Sequence, residues 1–230
     1  MVISETIAQR VASVRGEIAE AVAASGRSKE MISLVAVTKT RSVPEMLESQ
    51  SFVDALGENR VQEAHAKKNS AVWDKPWRLI GSLQKNKARK AVEIFDTIDS
   101  VNSIELALTL QRVLREKNDK ILPILIEINT SEENSKTGIS LDDVYCLADT
   151  VLECKNLHLE GFMTIAPLTQ KESHIRSSFA KLREITEMFR GRTGLPLPVI
   201  SMGMSSDYRL AILEGSTLVR IGTALFGPRG

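Results

Sequence analysis

Short runs of apolar, often β-branched residues alternate with longer amphipathic stretches along most of the chain. The short runs have the length and composition of buried strands, and turn residues or charges separate them from the next amphipathic stretch. The sequence therefore predicts eight strands, at residues 33–37, 53–56, 78–80, 97–99, 122–127, 157–161, 199–202 and 217–220.

The longer stretches have their apolar residues at helical spacing. In the clearest of them, residues 103–117, Leu106, Leu110, Val113 and Leu114 are separated by helical intervals of three or four positions. Ser140 followed by Asp142 and Asp143 is typical of a helix start. We predict helices at residues 61–68, 103–117, 141–152, 174–189 and 207–214, and a first helix at residues 4–25 that precedes the first strand.

Strands that alternate with helices favour a parallel sheet, because each crossover needs a helix to cover it. Eight such units in 230 residues predict one closed (β/α)8 TIM barrel that spans residues 1–230, with an extra helix at its N-terminal end. A doubly wound open sheet is the alternative. Dinucleotide binding is disfavoured, because no G-x-G-x-x-G motif follows the first strand.

The composition narrows the possible partners. A net charge of +1, from 30 basic and 29 acidic residues, gives no electrostatic reason to expect nucleic acid or an anionic membrane as a partner. The first ten residues lack the pattern of a signal peptide, so we expect a cytoplasmic protein. Cys146 and Cys154 suggest neither a disulfide scaffold nor a metal site, and we expect both to be small buried residues.

Lys39 is the first candidate for chemistry. It follows the apolar strand 33–37 and, by the period of two, shares a face with Val35 and Val37. In a barrel this face can point inward, which places Lys39 at the catalytic end. Partial burial there would favour the neutral amine, the nucleophile that attacks an aldehyde. A lysine that extends from a strand end into solvent is the alternative.

The two last strands are followed by loops that suit a phosphate group. Loops after strands seven and eight of a barrel often bind phosphate. Hydroxyl groups of Ser201, Ser205 and Thr223, together with backbone N–H groups at Gly222 and Thr223, could bind a dianion. Two polar turns that start the next helices are the alternative.

Three further groups lie at predicted strand ends. Arg220 ends the eighth strand, which pairs with the first in a closed barrel, so it could lie near Lys39. Asn59 could donate to a ligand or begin a helix. Lys85, Lys87 and Arg89 form a basic patch that is explained more simply as a solvated helix face than as a phosphate or partner site.

These segments together resemble the YggS/PROSC family of pyridoxal phosphate homeostasis proteins, from about residue 33 to residue 227. The segments that carry the resemblance are Val37-Thr38-Lys39-Thr40; Gly57-Glu58-Asn59 with Val61-Gln62-Glu63; Ile80-Gly81 with Leu83-Gln84 and Asn86-Lys87; Glu133-Asn134-Ser135-Lys136 with Gly138; Gly161-Phe162-Met163-Thr164-Ile165; Ser201-Met202-Gly203-Met204-Ser205 with Asp207; and Gly215-Ser216-Thr217 with Val219-Arg220-Ile221-Gly222-Thr223.

The resemblance implies a barrel like the N-terminal domain of alanine racemase, with pyridoxal 5'-phosphate held as a Schiff base on Lys39. It implies that Arg220 faces the pyridine nitrogen and that Asn59 lies beside the ring. The phosphate would be held near a set of four residues, Ser201, Ser205, Gly222 and Thr223. The chain departs from the family at Arg78 and Ser82, where histidine is common, and at Arg60, where an aromatic residue is common.

Two functions remain open. The chain could store, deliver or buffer the cofactor, with apo-enzymes as recipients, or it could be a weak racemase-like enzyme. Racemisation needs a second base, and in barrel racemases that base comes from a further domain that we do not expect here; Tyr208 is an unsupported candidate. An arginine at the pyridine nitrogen also weakens the ring as an electron sink, so we expect a monomeric carrier with little turnover. A phosphate-sugar lyase would use the same lysine without a bound chromophore.

Overall fold

The computed structural model describes residues 5–27, 32–117, 120–131 and 137–228. Eight parallel strands form a closed barrel in which each strand pairs with its neighbours in chain order and the eighth pairs with the first. The strands are β1 (Ser33–Val37), β2 (Ala55–Glu58), β3 (Trp77–Leu79), β4 (Thr97–Val101), β5 (Leu122–Glu127), β6 (Leu157–Met163), β7 (Val199–Ser201) and β8 (Leu218–Ile221).

Helices precede the barrel, connect its strands and follow its last strand. They are α1 (Ile7–Ala24), α2 (Val43–Gln50), α3 (Val61–Lys68), α4 (Ala88–Ile94), α5 (Ile104–Arg115), α6 (Val144–Glu153), α7 (Glu172–Thr193), α8 (Tyr208–Leu213) and α9 (Thr223–Phe226). The first of them, α1, begins at a capping box, in which Thr6 Oγ1 accepts from the Gln9 N–H (3.2 Å) and Gln9 Oε1 accepts from the Thr6 N–H (2.9 Å).

The apolar core has two parts. Most of it lies between the outer face of the barrel and the surrounding helices. A smaller cluster, formed by Val35, Ala55 and Leu218 with Val199 against it, lies inside the barrel. Residues two positions further along these strands face the same way, because side chains alternate across a strand. The inward positions near the carboxyl ends of the strands therefore form the floor of any site at that end of the barrel.

The predicted closed barrel, its extra N-terminal helix and its eight strands are confirmed, and the open sheet is wrong. The limits of β1, β5 and α3 are as predicted, whereas β2 begins two residues later than predicted and continues to Glu58. The helices α2, α4 and α9 were not predicted. In the described part of the chain, every helix is either too short or not apolar enough to span a lipid bilayer.

Candidate functional site

A cavity of about 430 Å³ opens at the carboxyl ends of β1 and β8. Its volume is in the range of small-molecule sites. Lys39 lies two residues after β1, and Val35 pairs with Arg220 across the β1–β8 seam, so the closure of the barrel brings the two long basic side chains to the same cavity. The residues that line it are Val37, Lys39, Arg41, Met204, Ser205, Ser206, Arg220, Gly222 and Thr223.

One wall of this cavity is a polar turn built from two loops. Ser205 Oγ accepts from the backbone N–H groups of Gly222 (3.2 Å) and Ala224 (3.3 Å), which ties the loop after β7 to the start of α9. Thr223, between these two residues, is exposed. Backbone N–H groups, hydroxyls and a nearby arginine are the donors that proteins use to bind a phosphate dianion.

Gly203 shapes the same loop. Its φ of +99° lies in the left-handed region, and a Cβ there would come within 2.7 Å of Ala211 Cβ and 2.8 Å of Tyr208 Cα. Gly203 therefore needs to be glycine for two separate reasons. Gly222 differs, because its φ is −117° and a Cβ would make only ordinary contact with Val37.

Arg220 lies under the cavity with 3% of its surface exposed. Its Nη1 donates to Ser201 Oγ (2.5 Å) and its Nη2 donates to the Thr164 carbonyl oxygen (2.8 Å). Burial lowers the pKa of Arg220, although nearby Asp99 and other carboxylates act in the opposite direction. These two hydrogen bonds fix the direction in which the guanidinium faces.

A second arginine lies inside the barrel. Arg78 is level with Gly57 in the β2–β3 ladder, and a Cβ on Gly57 would touch the Val35 side chain, so all three positions face inward. Arg78 Nε donates to Asp99 Oδ2 (2.9 Å) and Oδ1 (3.2 Å). Burial acts to lower the pKa of Arg78, but the charge of Asp99 and its hydrogen bonds raise it overall. Arg78, the position at which the resemblance led us to expect a histidine, therefore forms an interior ion pair with Asp99.

Two more carboxyl groups face this charged interior. Glu127, at the end of β5, accepts a hydrogen bond from Thr137 at Oε1, while its buried Oε2 has no hydrogen-bond partner among the described residues. Burial raises the pKa of Glu127, and it also raises the pKa of Asp207, whose Oδ1 accepts from the Met204 N–H (2.6 Å). The negative charges of Glu127 and Asp207 both act to raise the pKa of Arg220.

The structure brings together five of the seven predicted site residues in the cavity: Lys39, Ser205, Arg220, Gly222 and Thr223. Ser201 instead lies fully buried as a partner of Arg220. Asn59 lines a separate recess with Ser82, at the ends of β2 and β3, and its buried Oδ1 has no hydrogen-bond partner among the described residues. The roles of these two residues toward a cofactor stay predictions.

Sequence reasoning missed Arg41, which also lines the cavity. Its Nη2 donates to the Gly227 carbonyl oxygen (2.5 Å), its Nη1 to that of Phe226 (3.4 Å), and its guanidinium lies 5.3 Å from the centroid of the Phe226 ring. Its position two residues after Lys39, in the same turn, was the signal that could have identified it. The predicted segment at residues 133–136 lies outside the described residues.

Neither the basic patch nor the two cysteines are among the residues that line the cavity. Lys85 pairs with Glu105 and Arg89 pairs with Glu116, as expected of a solvated helix face. Cys154 is buried as expected, but the expectation for Cys146 is wrong, because it lies on the solvent side of α6 and is exposed.

Comparison with known proteins agrees with this geometry. Residues 18–230 match the family model of the alanine racemase N-terminal domain. The pyridoxal phosphate homeostasis protein of Pseudomonas aeruginosa is 38% identical over 229 residues, covering 97% of this chain and 96% of that protein. The protein of the same name from Escherichia coli is 40% identical over 234 residues, covering 97% of each. The chain belongs to the family of pyridoxal phosphate homeostasis proteins.

Solved structures extend the comparison. PipY of Synechococcus elongatus, whose structure is described with PLP bound, is 34% identical to this family member with a TM-score of 0.84, covering 96% of this chain and all of PipY. Alanine racemase of Clostridium difficile, at 14% identity and a TM-score of 0.71, shares the fold over 57% of its own length. The predicted resemblance in sequence and in fold is thus confirmed.

Proposed function

We propose that this protein binds pyridoxal 5'-phosphate through Lys39 and serves the homeostasis of the cofactor by storing, delivering or buffering it. The observation that carries the proposal is the cavity that Lys39, Arg220 and the Ser205–Gly222 turn share. The relatives named for pyridoxal phosphate homeostasis and the PLP-bound PipY support it.

The residues present fit this cofactor. Pyridoxal phosphate supplies an aldehyde, with which an unprotonated lysine amine can condense. Ser205, Gly222 and Thr223 would hold the phosphate, and Arg220 would face the pyridine nitrogen. Because Arg220 is held by Ser201 and Thr164 and carries a fixed charge, it would not supply a proton to that nitrogen as a carboxylic acid would.

We favour a carrier with little turnover over a racemase-like enzyme. Tyr208, the residue considered as a second base, is 5% exposed, and its hydroxyl donates to Glu17 Oε2 on α1 (2.7 Å). Burial, with further contributions from Glu17, raises the pKa of Tyr208 well above its ordinary range, so the hydroxyl stays protonated. A monomeric cytoplasmic protein that passes the cofactor to apo-enzymes is part of the same proposal.

The absorption spectrum of the purified protein with pyridoxal phosphate, before and after borohydride, tests the assignment. We expect a yellow band that borohydride bleaches, with added mass on the peptide that contains Lys39. Lys39→Ala should lose both signals. Lys85→Ala, which removes an exposed lysine paired with Glu105, should keep them. A colourless wild-type protein, or mass on other lysines instead, would refute the proposal.

The same preparation separates the carrier from the enzyme. A carrier should racemise or transaminate amino acids no faster than the Lys39→Ala variant does. Robust turnover that depends on Lys39 would favour the racemase-like alternative. A protein that forms no chromophore but traps a phosphorylated sugar at Lys39 would indicate a lyase.

A further inference from the structure

A largely buried ionic cluster of Glu58, Glu63 and Lys67 lies directly behind the turn that carries Lys39. The Lys67 ammonium donates to the Thr38 carbonyl oxygen (2.8 Å), to Glu58 Oε1 (2.8 Å) and to Glu63 Oε1 (2.7 Å). An ammonium group has three N–H donors, and all three are used here. Glu58 is fully buried, and Lys67 is 9% exposed.

Both carboxylates contact the turn as well. Glu58 Oε1 accepts from Thr38 Oγ1 (2.7 Å), and Glu63 Oε1 accepts from the Thr40 N–H (2.6 Å). Thr38 and Thr40 are the two neighbours of Lys39. The carbonyl and hydroxyl groups of Thr38 and the N–H group of Thr40 therefore all form hydrogen bonds with this one cluster.

The backbone of Thr40 has a strained conformation, which the cluster restrains. Its φ of +63° places a β-branched residue in the left-handed region, which such residues rarely adopt. A strained backbone of this kind persists only where its surroundings fix it. The hydrogen bond from the Thr40 N–H to Glu63 is such a restraint. Partial burial acts to raise the pKa of Glu63, but the hydrogen bonds from Lys67 and Thr40 lower it overall.

We propose that Lys67 is a positioning residue for Lys39, acting through the Thr38 carbonyl group and the two carboxylates to aim the Lys39 amine into the cavity. The role assigned to Lys39 rests on the proposed function. The competing explanation is that the cluster only stabilises the packing of α3 against β1 and β2. The two differ in whether Lys39 changes its reactivity in a protein that remains folded.

The test compares Lys67→Met with Lys68→Met. Lys68 is the next residue of α3, pairs with Asp96 at 3.8 Å and lies beside the Trp77 ring, away from the Lys39 turn. Two rates are measured by peptide mass spectrometry. One is acetylation of Lys39 by acetic anhydride in cofactor-free protein, and the other is borohydride-trapped addition of pyridoxal phosphate to Lys39. Thermal unfolding shows whether each variant is folded.

We expect Lys67→Met to slow both reactions of Lys39 about tenfold, because small displacements of a reacting group have large effects on rate. Lys68→Met should stay within about twofold of the wild type in both. Wild-type rates in a folded Lys67→Met variant would overturn the proposal. A wild-type protein that is acetylated at Lys39 but never traps pyridoxal phosphate would refute the proposed function instead, and the acetylation rates would still decide the role of Lys67.

A second pair of variants decides the matter if Lys67→Met does not fold. Glu63 is partly exposed, so its replacement is better tolerated. Glu63→Ala removes the acceptor for Thr40 and should slow both reactions, whereas Glu63→Gln keeps an acceptor oxygen and should restore most of the rate. Equal rates in Glu63→Ala, Glu63→Gln and the wild type would overturn the proposal.

Discussion

At the scale of single residues, the loop after β7 depends on one glycine. Gly203→Ala would force a Cβ into Ala211 and the Tyr208 backbone at a φ of +99°. We expect it to lower the free energy of unfolding by about 2 kcal/mol or more and to weaken pyridoxal phosphate binding, because Ser205 lies on the same loop.

The control is Gly191→Ala in α7, where a Cβ would meet nothing within 4 Å. An alanine inside a helix should raise stability by roughly 0.5–1 kcal/mol. Denaturant unfolding and a binding titration measure both variants. If the two substitutions had the same effect, the steric argument for Gly203 would be wrong.

Residue-level reasoning from the sequence was strongest where the register decides the neighbours. Lys39 and Arg220 were expected together because β8 must pair with β1 in a closed barrel, and the structure has them in one cavity. It was weaker for Ser201, since a serine near the end of a predicted strand, next to a polar loop, looks like a phosphate ligand. Only the direction of the buried Arg220 side chain shows that Ser201 is its hydrogen-bond partner.

At the scale of elements, two of the three missed helices, α2 and α9, have weak apolar patterns. In α2 the buried positions are Met46 and Ser49 alone, and α9 has only four residues, so neither gives a helical period. The end of β2 was missed because Gly57-Glu58 resembles a turn. Thr38 and Lys67, which belong to other elements, donate to Glu58 Oε1 and so help it lie in a buried strand, whereas its Oε2 has no hydrogen-bond partner among the described residues.

The N-terminal helix offers a test at the same scale. Tyr208, at the start of α8, donates its hydroxyl hydrogen to Glu17 of α1. Tyr208→Phe should lower the free energy of unfolding by about 1 kcal/mol and leave the trapping of pyridoxal phosphate at Lys39 unchanged. Loss of trapping would mean that Tyr208 acts in the site after all.

Tyr145→Phe is the matched control, because the Tyr145 hydroxyl donates a weak hydrogen bond to the Met188 sulfur, at 3.6 Å. Its removal should change stability by no more than a few tenths of a kcal/mol. Thermal and denaturant unfolding of the two variants compare the hydroxyls directly.

At the scale of the whole molecule, the barrel interior changes character from apolar to charged. Val35, Ala55 and Leu218 form an apolar layer, whereas Arg78, Asp99, Glu127 and Arg220 occupy inward positions nearer the carboxyl ends of their strands. The interior of such a barrel is ordinarily filled by branched apolar side chains. The charged layer has a desolvation cost, against which the attraction within the Arg78–Asp99 pair acts. The carboxylates of Asp99 and Glu127 also act to raise the pKa of Arg220, beneath the cavity.

The desolvation cost of the charged layer can be measured at Glu127. Because burial raises its pKa above the ordinary 4.5, the folded state disfavours the ionised form. The ionised Glu127 carboxylate therefore lowers the free energy of unfolding. This effect is absent at low pH and grows as the pH rises from the unfolded-state pKa through the folded-state pKa of Glu127. Glu127→Gln should therefore raise the free energy of unfolding near neutral pH and give a smaller gain at about pH 4.

Glu45 should show the opposite effect of a carboxylate on stability. Hydrogen bonds from Ser42 lower the pKa of Glu45, so its ionised form stabilises the folded state. Glu45→Gln should thus reduce stability near neutral pH, and the difference should shrink as the pH falls through the folded-state pKa. Denaturant unfolding across this pH range compares both variants. If Glu127→Gln instead destabilised the protein at neutral pH, the attraction between Glu127 and Arg220 would be larger than the desolvation cost of Glu127. The Glu127 carboxylate would then stabilise the fold around the cofactor site.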